Sequence, residues 1–377
     1  MPMYIPAYVQ GEAAEHFKVS TFMPGPGLRR AVNAGQVKVE RCSFSAIPQF
    51  FTDKKDGVDL LLLQVSAPNG AGQVSLGISL DYMAAVLARK PLVVAQMNPR
   101  MPVTSGDTLL PLASLDYVVH HEEDLVSTRR TGAADAVDQA IARHAAGLVE
   151  SGDVLQVGIG TLPDLVLGHL DHLSNLGCHT GILSAGWQRL IENGVVNNST
   201  KKRFRGTTLA TMAGGDCDFY DFLHHNAAVE FYPCSLTHSQ ATLLAIDGLC
   251  AINSVLQMDL AGNCNAESVA GRVIAAPGGL PDFARAASRV ARGKSIITLR
   301  SGFVCRQNGK ILSNIVVDLN GSVPVSLGGE HVDYAITEYG IAALRGLSSS
   351  QRAQALIAIA HPEHREQLRQ QVKERFA

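Results

Sequence analysis

The chain has 377 residues, 46% hydrophobic and 18% charged, which supplies a large core and argues against disorder as the main state. Its 32 Lys and Arg against 34 Asp and Glu leave a net charge of −2, so nucleic acid is not expected as a partner. An acidic ligand must find local positive groups or backbone N–H groups. No run approaches the roughly 18 apolar residues of a membrane span, so no membrane partner is expected. The opening MPMYIPAYVQ lacks the basic and long apolar regions of a secretory signal. The seven cysteines (42, 178, 217, 234, 250, 264, 305) show no CxxC or Cys/His metal spacing, which points to a reduced, cytoplasmic setting without a metal site.

In chain order, YIPAYVQ, VKVERCSF, DLLLLQV and PLVVAQM read as strands, with a helix over Leu80–Arg89 and a short strand at Val118-Val119. The charged stretch His120–Arg130 reads as a connection between two domains, 1–125 and 131–377. Apolar positions at helical spacing predict a helix over Ala133–Ser151. Asp153–Val157 reads as a strand, Leu162–Leu170 as a helix, Cys178–Leu183 as a strand, and Trp187–Asn193 as a helix ended by Gly194. Strands follow at Thr207–Met212, Val229–Tyr232, Leu249–Asn253, Ser295–Leu299 and Tyr334–Thr337, then a helix over Ser349–Ala360 and an amphipathic C-terminal helix. Alternation of this kind predicts an α/β fold with mostly parallel sheets flanked by helices.

Individual motifs say little. Gly158-Ile159-Gly160 sits between a strand and a helix, but Pro163 takes the last position of GxGxxG, and no acidic residue ends a second strand about 20 residues on. It is either a tight turn or a loop whose N–H groups face a ligand oxygen. Pro277-Gly278-Gly279 is either a connector or a place where backbone meets ligand. The basic run Lys201–Arg205 reads as a solvated face, with a phosphate or nucleic-acid role the lesser reading. The pairs His120-His121 and His224-His225 read as ordinary polar residues rather than metal ligands.

The order of the motifs says more. DVLQVGIGTLPD (153–164), AINSVLQMDLAG (251–262), Gly278-Gly279 with Asp282-Phe283, TEYGIAALRG (337–346) and AIAHP (358–362) resemble, in sequence, the motifs of the acetyl-CoA hydrolase/transferase family of class I CoA-transferases, which includes 4-hydroxybutyrate CoA-transferases. In the first half, VSAP (65–68) with Gly72 and Leu80-Asp81-Tyr82, and Asn98-Pro99-Arg100-Met101-Pro102, are similar to that family's segments as well. The resemblance implies two CoA-transferase-like α/β domains with an inter-domain cleft. It implies an acyl-CoA and a small carboxylic acid as substrates, coenzyme A entering as a thioester substrate and no bound cofactor. It places Gly158, Ile159, Gly160, Gly278, Gly279, Asn98 and Met101 at the CoA and substrate site, with Arg272 a candidate for a CoA phosphate or a surface residue. A homo-oligomer is expected.

The family's reaction runs through a glutamate that attacks the thioester, ending as a glutamyl-CoA intermediate. The family segment GxHSE matches Gly177-Cys178-His179-Thr180-Gly181, so Gly181 stands at the glutamate's position and brings no nucleophile. The family also carries about one more βαβ unit before the strand matched by Met3–Val9. A sheet without it would expose an apolar face for a partner chain. At Ala275-Ala276-Pro277 the family usually has Ser-Gly-Val/Ile, and proline removes a backbone donor.

Three functions follow from this pattern. The first is an acyl-CoA hydrolase or unusual transferase, in which the missing side chain at Gly181 opens a water-sized space and His179 serves as base. Strand alternation puts His179, not Cys178, on the same side as Gly181. His179 is equally a strand residue bonded to nearby backbone. The second is a catalytically silent acyl-CoA-binding or regulatory subunit. The third, a nucleotide-linked oxidoreductase, rests on Gly158-Ile159-Gly160 alone.

Overall fold

The computed structural model describes residues 4–53, 57–128, 134–305, 308–319, 321 and 323–376. Leu60–Val65 (β1), Leu92–Met97 (β2) and Tyr117–His120 (β3) form a parallel sheet in the order β1-β2-β3. Alternation along the strands turns Leu61, Val65, Val93, Ala95 and Met97 into the core. The opposite face carries Leu62 at 70% exposure, Tyr117 at 61% and Val119 at 54%, with Leu60 and Leu92 beside them. Parallel sheets are ordinarily covered on both faces, and this face is bare.

The second half is built on a larger sheet. Ala136–Ala146 (α1) starts at Asp135, whose carboxylate accepts from the Asp138 N–H, and buries Ile141, Ala142, Ala145 and Ala146. The sheet contains Val154–Val157 (β4), Gly177–Cys178 (β5), Leu249–Ser254 (β6), Lys294–Thr298 (β7), Tyr334–Thr337 (β8) and Gly340–Ala343 (β9). Their order is β5-β4-β6-β7-β8-β9, parallel except for the β8–β9 hairpin. β4 is buried throughout and β6 up to Ser254, as expected of inner parallel strands. Arg345 grips Asp333 with two bonds of 2.7 Å, and Asp333 accepts the Ser295 N–H, fixing the entry to β7 and β8.

The two halves share material. Ser105–Gly106 pairs with Val229–Phe231, which pairs with Thr208–Ala210 in a small parallel sheet. Val65, Val74 and Ala95 lie in the same apolar core as Leu155, Val157 and Cys178. Of the expected connection His120–Arg130, residues 129 and 130 lie outside the described residues.

The α/β alternation with mostly parallel sheets is as expected, and three elements differ. The strand expected at Thr207–Met212 divides at Thr211, Thr208–Ala210 pairing with Val229–Phe231 and Met212–Gly214 with Ile182–Ser184. The N-terminal stretch is not a strand: Ala7–Val9 is one 3-10 turn, led in by Pro6, and Val9 packs with Leu28, Ala31 and Val37. Met3 lies outside the described residues. The strand expected at Cys178–Leu183 is broken in two. His179 N–H still bonds to Leu155 of β4, but Thr180 N–H turns to Leu209, and Ile182–Ser184 pairs with Met212–Gly214 instead. The chain changes sheets at Thr180-Gly181. Among the described residues no helix is long and apolar enough to cross a membrane, and no three His, Cys, Asp or Glu cluster to hold a metal.

Candidate active site

In an open α/β sheet the crevice lies beyond the strand C-termini, where consecutive connections leave in opposite directions. Here that point falls between β4 and β6, since the chain leaves β4 for β5 on one side and later returns to β6 on the other. Gly158-Ile159-Gly160 follows β4 at this point. Gly160 has φ +128°, a conformation open to glycine, which lets the chain turn directly into the helix Thr161–Leu167. Ile159 stands at the rim, 46% exposed. Beneath the loop, Gln156 and Asn253 exchange two amide hydrogen bonds of 3.2 and 2.9 Å across β4 and β6. Both are buried, so the pairing satisfies groups that would otherwise be costly.

Gly181 joins this loop through its neighbour, since the Thr180 hydroxyl donates to the Val157 carbonyl at 3.3 Å. Gly278-Gly279 comes to Gly181 from the other side. A Cβ on Gly181 would lie 2.8 Å from Nε2 of His238, and a Cβ on Gly279 would lie 2.8 Å from the same nitrogen. The imidazole therefore sits between two glycines. Loss of the side chain at position 181 does not open an empty space, contrary to the sequence-based expectation, because His238 fills it.

His238 follows the short helix Cys234–Thr237. Its ring is 2% exposed and packs edge-on against Phe283 at 4.9 Å and obliquely against Phe44 at 4.8 Å. Nδ1 lies 2.9 Å from the Thr237 hydroxyl, and that hydroxyl reaches the Pro233 carbonyl at 3.5 Å. Burial, and after it the neighbouring His179, pull the pKa of His238 down to about 3, so the ring is neutral.

His179 lies on the Gly181 side of the strand, as its parity requires, and also meets Phe283. Its Nε2–H donates to the Thr237 carbonyl at 2.9 Å. Burial first, then the Lys201 charge, pull its pKa to about 3. His179 is thus 1% exposed and tied to backbone.

The basic run is not simply a solvated face. Lys201 is buried, and its ammonium donates to the carbonyls of Cys178 at 3.1 Å and Thr207 at 2.6 Å, clamping the strand that leads to Gly181. Burial pulls its pKa to about 8. Lys202 and Arg203 are more open, and Arg203 lies over the Phe204 ring.

Other acidic and thiol groups are already engaged. Glu267 makes a two-bond ion pair with Arg41 at 2.7 and 2.8 Å and accepts from Ser326. Glu338 accepts from the Ser301 N–H and hydroxyl. Cys178 is fully buried, and desolvation pushes its thiol pKa far up.

The first half clasps the second at this place. Phe44 N–H donates to the Gly278 carbonyl at 2.9 Å. Ser45 donates its N–H and hydroxyl to Asp282 at 3.0 and 2.6 Å, at the start of the helix Leu280–Ala287 (α2). The Asp282-Phe283 pair therefore serves both sides: Asp282 holds the first half, and Phe283 holds His238.

Asn98 and Met101 have other surroundings. The Asn98 side chain bonds to Glu123 and Arg100 backbone and to Gln64, and Met101 packs against Gly77. The described contacts of both residues are with their own half and the segment after β3. Arg272 is exposed on a short hairpin, Ser268–Val269 with Arg272–Val273, next to Asn33. The structure thus brings Gly158, Gly160, His179, Gly181, Gly278 and Gly279 around one locus, and among the described residues no hydrogen bond ties Asn98, Met101 or Arg272 to it. His238 is the residue that sequence reasoning missed. It is a lone histidine in SLTHSQ with no spacing to flag it, and only the pair of glycines facing it marks its place.

Comparison with known proteins agrees with this architecture. Residues 7–130 match the acetyl-CoA hydrolase/transferase N-terminal domain and residues 215–372 the C-terminal domain of the same family. The chain is 36% identical over 369 residues to 4-hydroxybutyrate coenzyme A transferase of Clostridium kluyveri, covering 98% of this chain and 85% of that protein. The crystal structure of RipA from Yersinia pestis superposes with a TM-score of 0.90 at 30% identity, covering 98% of this chain and 84% of that one. A 4-hydroxybutyrate CoA-transferase from Porphyromonas gingivalis gives 0.79 at 31% identity, over 93% of this chain and 84% of that one. With both domain families matched in order along one shared core, the chain belongs to the acetyl-CoA hydrolase/transferase family.

Proposed function

We propose that this protein acts on acyl-CoA thioesters and that it cleaves them with water in preference to passing CoA to a second carboxylate. The observation that carries this reading is the filling of position 181: no carboxylate stands there, and a neutral imidazole occupies the space. A transfer route needs a nucleophile that holds the acyl or CoA group between two half-reactions. Glu267, Glu338 and Cys178 are each committed elsewhere. Hydrolysis needs only an activated water and backbone donors for the oxyanion, which Ile159-Gly160 and Gly278-Gly279 can supply, the Gly158 N–H being held by the Ile252 carbonyl. In this reading CoA lies along the Gly158–Gly160 loop. Arg272 and the Asn98–Met101 turn belong to the site only if ligand binding draws them in.

The test is release of CoA thiol from short acyl-CoAs by the full chain, with and without a carboxylic acid acceptor. Release that does not depend on acceptor supports the reading. Release that requires acceptor favours transfer, and tight CoA binding without release favours a silent binding subunit. We further read the bare face of the β1-β2-β3 sheet as one covered by a second copy of the chain, and the setting as cytoplasmic. The exposed Leu62, Tyr117 and Val119 support the first, and seven free cysteines support the second.

A further inference from the structure

The position of His238 goes beyond filling a gap. Nε2 faces both Gly181 and Gly279, and its carbon neighbours differ on the two sides: Cε1 lies 3.1 Å from the point a Cβ on Gly181 would occupy, and Cδ2 3.0 Å from the corresponding point on Gly279. The nitrogen therefore points between the two glycines. Both are part exposed. Among the described residues, Nε2 has no hydrogen-bond partner, whereas Nδ1 has Thr237. Among the described residues, the fully buried side-chain atoms without partners are Asp81 Oδ1, Thr211 Oγ1, Ser295 Oγ and His361 Nδ1, and Nε2 of His238 is not one of them.

The contact with Thr237 admits two tautomers of the ring, and one of them leaves Nε2 without a proton. In that tautomer the Thr237 hydroxyl donates to Pro233 and accepts from Nδ1–H. Nε2 then carries a lone pair, aimed at the gap. The Thr237 carbonyl takes the proton of His179, so one residue orients both imidazoles.

We infer that His238 is the general base of thioester hydrolysis in this protein, acting through Nε2 on a water held between Gly181 and Gly279. This rests on the reading that the protein acts on acyl-CoA. A water is small enough to approach a nitrogen so enclosed, which a thioester carbon with its two substituents is not. In the step, Nε2 takes one proton from water as the water oxygen bonds to the acyl carbon. The tetrahedral oxyanion collapses with breakage of the carbon–sulfur bond, and the imidazolium returns its proton to the CoA thiolate. Acid and CoA thiol leave, and the histidine is neutral again. Burial keeps the ring neutral at rest, and the oxyanion supplies the negative charge that favours its protonation during the step.

The experiment compares wild type, His238→Ala and His238→Gln for acetyl-CoA hydrolysis, with CoA binding measured by calorimetry and folding by circular dichroism. Both variants are expected to lose hydrolysis by about a hundredfold or more while still binding CoA. Added imidazole is expected to restore activity to His238→Ala, whose cavity matches the lost ring, and not to His238→Gln. A merely structural role would not produce that rescue. If His238→Ala does not fold, His238→Gln carries the comparison, because its amide can keep the bond to Thr237. Full activity in either folded variant overturns the inference and leaves the proposed function standing. A wild type that binds CoA but neither hydrolyses nor transfers overturns the proposed function itself.

Discussion

His238 Nε2 lies 2.8 Å from the point a Cβ on Gly181 would occupy, so residue 181 and residue 238 cannot both carry a side chain into the site as it stands. This pairing predicts how a carboxylate would be received. Gly181→Glu alone should overpack the site, lose about 1–3 kcal/mol of stability and gain no transferase activity. With His238→Gly added, the carboxylate has room. The double variant should recover stability and show more acyl transfer to acetate than either single variant. Urea unfolding and a transfer assay check both parts. Equal stability of wild type and Gly181→Glu would mean that the imidazole moves aside freely.

The two buried histidines predict an acid-sensitive fold. Both have pKa values near 3 in the folded protein, below the ordinary value of 6.5, because burial disfavours the charged ring. Between those values the unfolded chain binds more protons than the folded one, so the histidine contribution to stability is lost as pH falls from about 6.5 toward about 3. His179→Asn, which removes one of the two titrating rings, should flatten the dependence of unfolding free energy on pH in this window. Denaturant midpoints measured at several pH values would show it. An unchanged slope would contradict the assignment of neutral rings.

How far the sequence reaches can be judged on these same residues. Strand β4 and the Gly158–Gly160 turn were legible because a continuous apolar run followed by glycines has few other meanings. Attention falls on position 181 only through the motif resemblance. The break at Thr180-Gly181 was not, because whether a strand continues beside β4 or turns to Leu209 is decided by neighbours more than 20 residues away. His238 was missed and Lys201 misjudged for the same reason. A polar side chain in a polar stretch reads as surface, and only the packing of Phe44 and Phe283, or the carbonyls of Cys178 and Thr207, turns it inward.

The clasp between the two halves should be measurable. Asp282 is buried and accepts two hydrogen bonds from Ser45. Asp282→Ala leaves the Ser45 N–H unpaired and its hydroxyl with Ser43 alone, and should cost about 1–3 kcal/mol. Ser45→Ala removes the hydroxyl bond and should cost less, about 0.5–1.5 kcal/mol. A double-mutant cycle read by chemical denaturation should give a clear coupling between the two. Simple additivity would show that the contact carries no energy of its own.

The bare sheet face predicts association. Leu62→Glu combined with Tyr117→Glu places charge on it and should shift the protein toward monomer in analytical ultracentrifugation without unfolding it, since both side chains already face outward. An assembly state equal to that of the wild type would remove this face from consideration as the contact between copies.

The central claim is that water, and not a carboxylate at residue 181, receives the acyl group. The most direct measurement is hydrolysis of acetyl-CoA by wild-type protein in heavy-oxygen water, with propionate present as a competing acceptor, followed by mass spectrometry of the products. The account predicts acetate carrying one heavy oxygen from the solvent, free CoA thiol, and little propionyl-CoA. Abundant propionyl-CoA with unlabelled acetate would contradict it, because that outcome requires a covalent carrier.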